Sequence, residues 1–122
     1  MEGSPVGVRS FVKRIGESVE DSDRAKLRSF CQSLDVTPLD RLPLRTPVRF
    51  AGEVTSLRIV PRAGAPAVEI TVKDGSGTAV AVFLGRGGVR GMTPGRRVIL
   101  EGVAIEDGAE HVVYNPGYEL LA

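Results

Sequence analysis

At Pro47 the apolar residues change period, and that change constrains the fold more than any other feature of the chain. Before it, Val8, Phe11, Val12, Ile15 and Val19 recur at i, i+3, i+4, i+7 and i+11, one face of a 3.6-period helix. Leu27, Phe30, Cys31 and Leu34 repeat that spacing, and Asp21-Ser22-Asp23 offers N-cap side chains ahead of them. Two short N-terminal α-helices are therefore expected. The second should end at Asp35-Val36-Thr37-Pro38, because the residue before a proline disfavours the α region. Arg41 to Pro47 reads as a proline-punctuated linker. This divides the chain into a helical arm with its linker over 1–43 and a β domain over 44–122.

After Pro47 the period is two. Val48, Phe50 and Val54 alternate with polar or small residues, and then Leu57 and Ile59 continue on odd numbers. A slip of parity inside one long strand predicts a β-bulge or a sharp coil near Thr55-Ser56. Pro61 to Pro66 reads as a loop. Val68, Ile70 and Val72 alternate with Glu69, Thr71 and Lys73 as a half-buried strand, and Asp74-Gly75-Ser76-Gly77 has the chemistry of a hairpin turn. Thr78–Leu84 forms the next strand, Gly85–Gly95 a glycine- and arginine-rich connection, and Arg96–Ile105 a fourth strand turned back by Glu106-Asp107-Gly108. His111–Leu121 is the last strand, interrupted by Asn115-Pro116-Gly117. No long helical pattern separates the strands, which excludes a doubly wound parallel sheet. Five strands with a coiled first one fit a mainly β fold, a small barrel of OB type or, alternatively, of SH3 type.

At 122 residues the chain is one domain's worth of length and can bury a core without a metal or disulfide staple. Its single cysteine, Cys31, and single histidine, His111, leave no internal disulfide and no Cys- or His-based metal site. No cofactor, metal or catalytic residue is expected. No apolar run approaches the ~20 residues of a membrane span, and Met1-Glu2-Gly3-Ser4-Pro5 does not resemble a signal peptide. The expectation is a cytoplasmic protein without a membrane partner. The 16 basic and 15 acidic residues nearly balance, unlike a strongly electrostatic DNA binder. Thirteen of the basic residues are arginine, a side chain suited to planar recognition of phosphate; codon bias in a GC-rich genome would give the same excess.

The segments VRFAGEVTSLR, VEITVKDGSGTAVAVFLG, MTPGRRVILEGVAIEDG and YNPGYELL follow one another in order. Together, over about residues 44–121, they resemble the OB-fold of the tRNA-anticodon-binding type. They are similar to the wedge domain of RecG-type helicases and to small stand-alone actinobacterial OB-fold proteins. The resemblance implies a five-stranded OB barrel that binds nucleic acid through strands 2–3 and the flanking loops, with no helicase motor.

On that footing the candidate nucleic-acid-binding residues are Arg58, Arg62, Thr71, Lys73, Phe83, Arg86, Arg90 and Arg96. If Val68, Ile70 and Val72 face inward, Thr71 and Lys73 face out. On the next strand Val80, Val82 and Leu84 are the bulkier set and are expected inside, leaving Ala79, Ala81 and Phe83 outside. An exposed phenylalanine beside a lysine would stack a base and neutralise a phosphate; the alternative is that Phe83 packs in the core or under the helices. Arg58 ends the first strand and Arg62 sits in the first loop, Arg86 and Arg90 lie in the glycine-rich connection, and Arg96 opens the fourth strand; glycines beside arginines let a backbone come close to phosphates. Gly85-Arg86-Gly87-Gly88-Val89-Arg90 lacks the sixth-position glycine and following helix of a dinucleotide fingerprint. No nucleophile, base and orienter are arranged for catalysis. The expected partner is single-stranded DNA or RNA, with DNA put ahead of RNA, or a strand junction. A protein-interaction or oligomerisation module, including a homodimer through the N-terminal helices, is the alternative.

Overall fold

A computed structural model of the chain describes residues 19–122. The first expected helix, over Val8 to Val19, falls outside them except for its last residue. Among the described residues there is one α-helix, α1, over 19–32, rather than two. A 3-10 turn at Leu39–Arg41 follows, and then six strands: β1 Pro47–Arg62, β2 Ala65–Lys73, β3 Thr78–Leu84, β4 Arg97–Asp107, β5 Glu110–Tyr114 and β6 Gly117–Leu120. Asp21, Ser22 and Asp23 lie inside α1, already helical at residue 19, so they do not cap its start as expected.

β1 is long enough to pair twice. Its first half, from Pro47 to Glu53, runs antiparallel to β4, and its second half runs antiparallel to β2. β2 pairs with β3, β3 runs parallel to β5, and β4 takes β5 and β6 along one side. The path β1–β2–β3–β5–β4–β1 therefore closes the sheet in a ring. The register slips between Val54 and Ser56, so of the bulge and the sharp coil that the change of parity allowed, the strand has the bulge. The extra residue, Thr55, donates its hydroxyl to the Thr71 carbonyl at 3.2 Å. Pro61 to Pro66 is not the expected loop. Both strands continue through it, with Pro61 opposite Pro66 and only Ala63-Gly64 left as the turn. The prolines are tolerated because β3 stops pairing with β2 at Ala67, so this stretch is a two-stranded edge. The last expected strand is two, because Asn115 takes a left-handed φ of 49° and Pro116 has no N–H for a ladder.

Phe50, Val54, Val68, Ile70, Val72, Val98, Leu100 and Val113 fill the ring. Each such side chain contributes about 1.5–3 kcal/mol through burial. The stretch expected as a linker joins this core through Leu42 and, half-buried, Leu44. Leu39 enters from the 3-10 turn, and Val89 and Met92 enter from the connection between β3 and β4.

The expected phase of β3 is inverted. Ala79, Ala81 and Phe83 point into the ring, and Phe83 is 3% exposed. Val80 and Val82 point outward, into a separate cluster with Ala67 and Val112, and Leu84 is exposed. The bulk rule failed because Phe50, Ile70 and Leu100 already fill the interior, leaving room on most of this strand only for alanine.

α1 lies on the outside of the ring. Leu27 and Cys31 are buried against Ala51 of β1 and Ile99 of β4, with Phe30, Leu34, Val36 and Leu121 around them. The β2–β3 turn supports the helix from below. Asp74 is buried; its Oδ1 accepts from Ser76 N, Ser76 Oγ and Gly77 N, and its Oδ2 accepts from Leu39 N at 2.9 Å. Gly75 has φ 89°, and a Cβ there would sit 2.6 Å from the Arg24 carbonyl oxygen, so only glycine lets helix and turn meet. No helix among the described residues is long and apolar enough to cross a membrane.

Candidate nucleic-acid interface

The outer face of β1, β2, β3 and β5 is organised in cross-strand rows. Directly opposed residues on paired strands share a face, so Arg58, Glu69, Val82 and Tyr114 form one row. Ser56, Thr71, Val80, Val112 and Ile105 form the next. The floor is apolar: Ala67, Val80, Val82 and Val112 are buried, with Val60 and Ile105 packed at its margins.

Polar side chains close over this floor at one point. The Arg58 guanidinium donates through Nη2 to Glu69 Oε1 at 2.8 Å, and Arg62 donates through Nη2 to Glu69 Oε2 at 2.7 Å. Arg62 also donates through Nη1 to the Tyr114 hydroxyl at 3.2 Å, and its guanidinium carbon lies 5.7 Å from the centre of that ring. Two cations thus share one carboxylate. The hydrogen bonds from Arg62, and then from Arg58, hold the Glu69 carboxyl below the usual carboxylate range. Its bond to Glu69 holds Arg62 the more firmly charged. The Nε of Arg62 is buried with no acceptor among the described residues.

The structure brings four of the eight candidates to this face. Arg58 and Arg62 come from β1, and Thr71 and Lys73 from β2, where Lys73 is exposed opposite Glu53 and Thr78. Glu53 is itself 3.5 Å from Arg97, whose guanidinium carbon is 4.4 Å from the Phe30 ring centre. Phe83 is not on this face. Its ring packs edge-to-face on Tyr118, with centroids 5.8 Å apart, and Arg86 lies 5.9 Å over it. Arg86 and Arg90 are exposed on the connection between β3 and β4. Arg96 is half-buried and donates from Nε to the Leu121 carbonyl at 3.0 Å, which ties it to the C-terminal end of the chain.

Sequence reasoning missed Glu69 and Tyr114. Both stand at outward positions of strands already recognised, but only the strand register shows that they meet Arg58 and Arg62. The exposed aromatic rings of the sheet are Tyr114 and Tyr118, both from the C-terminal stretch. Compared with known proteins, the chain matches no family model and no curated protein.

Proposed function

We propose that the chain is an OB-fold barrel that binds single-stranded nucleic acid, DNA ahead of RNA, or a junction of single and double strands, without catalysing a reaction. The observation that carries this reading is the outer face on the β2–β3 side of the ring, where Arg58 and the exposed Tyr114 stand in one cross-strand row, Arg62 reaches over to it from the end of β1, and the floor beneath is apolar. In OB barrels that face and its flanking loops take oligonucleotides. Guanidinium groups hold phosphates in a planar fork, and a tyrosine ring gives a base a surface worth about 1–3 kcal/mol. Arg86 and Arg90, exposed on the glycine-rich connection, offer the same chemistry from a loop.

Near-neutral charge sets a modest affinity. With about four arginines on phosphates, log K falls with log salt at a slope near −3 for a single strand. Fluorescence anisotropy with labelled DNA and RNA oligonucleotides at low salt tests the reading. Binding with that slope is the expected result; no binding below about 100 μM, in the range of weak non-specific affinities, would remove it.

A second reading, a protein-interaction module, is favoured by Ile59, Leu84 and Val103, which stay exposed on three different strands. Partners captured by the chain and retained after nuclease treatment would point to it, whereas partners lost on treatment point to nucleic acid.

A further inference from the structure

We propose that the Arg58–Arg62 pair is a phosphodiester subsite occupied, in the free protein, by the Glu69 carboxylate, so that a nucleic-acid backbone binds there by exchange. The inference rests on the nucleic-acid reading above and adds the residue that sets its strength.

Three observations carry it. The two guanidinium groups converge on one carboxylate at 2.8 and 2.7 Å, the charge-assisted geometry that a phosphate also accepts. Glu69 supplies two oxygens to two arginines, and the buried Nε of Arg62 is left without an acceptor. A buried donor without a partner is costly, and a phosphodiester, with two non-bridging oxygens sharing one negative charge and two ester oxygens, has more acceptors to offer. Finally, Tyr114 fixes Arg62 from the side through its hydroxyl and ring, so the fork keeps its position when the carboxylate leaves. Glu69 is thereby a positioning residue and a competitor at once. It aligns both arginines and lowers the affinity of the site for phosphate.

The test compares the wild-type protein with Glu69→Gln, which keeps the shape and removes the charge. Labelled oligothymidylate is titrated at about 50 mM salt. Glu69→Gln should bind roughly 3- to 10-fold more tightly, as expected when partly buried ion pairs of modest strength no longer compete. Glu101→Gln, the same charge change at an exposed position on β4, should leave the affinity unchanged. The gain should vanish in a chain that also carries Arg58→Gln and Arg62→Gln. Independently, the side-chain carboxyl carbon-13 resonance of Glu69 in the wild-type protein should move as oligothymidylate saturates it. If Glu69→Gln does not fold, this resonance alone decides.

Unchanged or weaker binding by folded Glu69→Gln, an equal gain in Glu101→Gln, or an unmoved Glu69 resonance under saturating oligonucleotide would overturn the exchange. Wild-type binding would then leave the nucleic-acid reading standing on other residues. If neither protein binds, both inferences fall together.

Discussion

Phe83 sits where the ladder between β3 and β5 has run out. Backbone pairing of the two strands ends at Val82 opposite Tyr114, and one further bond runs from Asn115 N to the Val82 carbonyl. Beyond that point side chains hold the wall. The Asn115 amide oxygen accepts from Leu84 N at 2.9 Å, and the Phe83 ring stands at 86° to Tyr118 of β6. Edge-to-face pairs of this kind add about 0.5–1.5 kcal/mol to area burial. Phe83→Ala should therefore cost about 3–5 kcal/mol, as buried phenylalanine truncations do. The circular-dichroism melt should fall by more than ~10 °C for a chain of this size. A melt within about two degrees of wild type would mean that the seam closes without the ring.

The β1–β2 hairpin shows which parts of an element the residues reveal. Its bulge is legible, because the inward residues change from even to odd numbers between Val54 and Leu57. Its turn is not. Ala63 and Gly64 have φ of 52° and 80°, both left-handed, as a type I′ turn requires. Alanine is a poor choice for the first of these positions, so Arg62-Ala63-Gly64-Ala65 between two prolines resembles a loop. Once the turn is known, the register follows, and it sets Arg58 opposite Glu69 and Arg62 opposite Ala65. The heart of the candidate site was hidden by one residue of turn chemistry. The phase of β3 was hidden for a different reason. Both of its faces are apolar, so the choice depends on the volume left by Phe50, Ile70 and Leu100, which no single strand encodes. The strained turn also makes a prediction. Ala63→Asn, the residue type that best tolerates this conformation next to glycine, should stabilise the chain by about 0.5–1 kcal/mol. A urea titration should show a higher midpoint at unchanged slope. A lower midpoint would mean that the turn is not held in this form in solution.

At the scale of the whole molecule, α1 and the ring should unfold as one cooperative unit. The helix is fixed at three places: Leu27 and Cys31 against Ala51 and Ile99, Phe30 beneath Arg97, and Arg24 against Gly75 of the β2–β3 turn. That turn is in its turn bonded through Asp74 to Leu39, which enters the core of the ring. Undocking α1 would expose the apolar face of β1 and β4 and loosen the turn, so it should not happen far short of global unfolding. Cys31 reports on this directly. Burial, and then the negative charge of Asp74, push its thiol up from 9.0 to about 11. The reactive thiolate is therefore scarce in the folded chain at pH 8. The neutral thiol favours the fold below pH 9, and that contribution is lost as the pH rises through about 11, so pH 8 lies where it is intact. Labelling with a disulfide reagent at pH 8 should be slowed, relative to the unfolded chain, by about the full unfolding equilibrium constant. The free energy from labelling should match that from urea unfolding to within ~1 kcal/mol, and it should fall with urea at the full global slope. Labelling that is fast and indifferent to low urea would show that α1 opens alone, a hinged cover on the ring rather than part of its core.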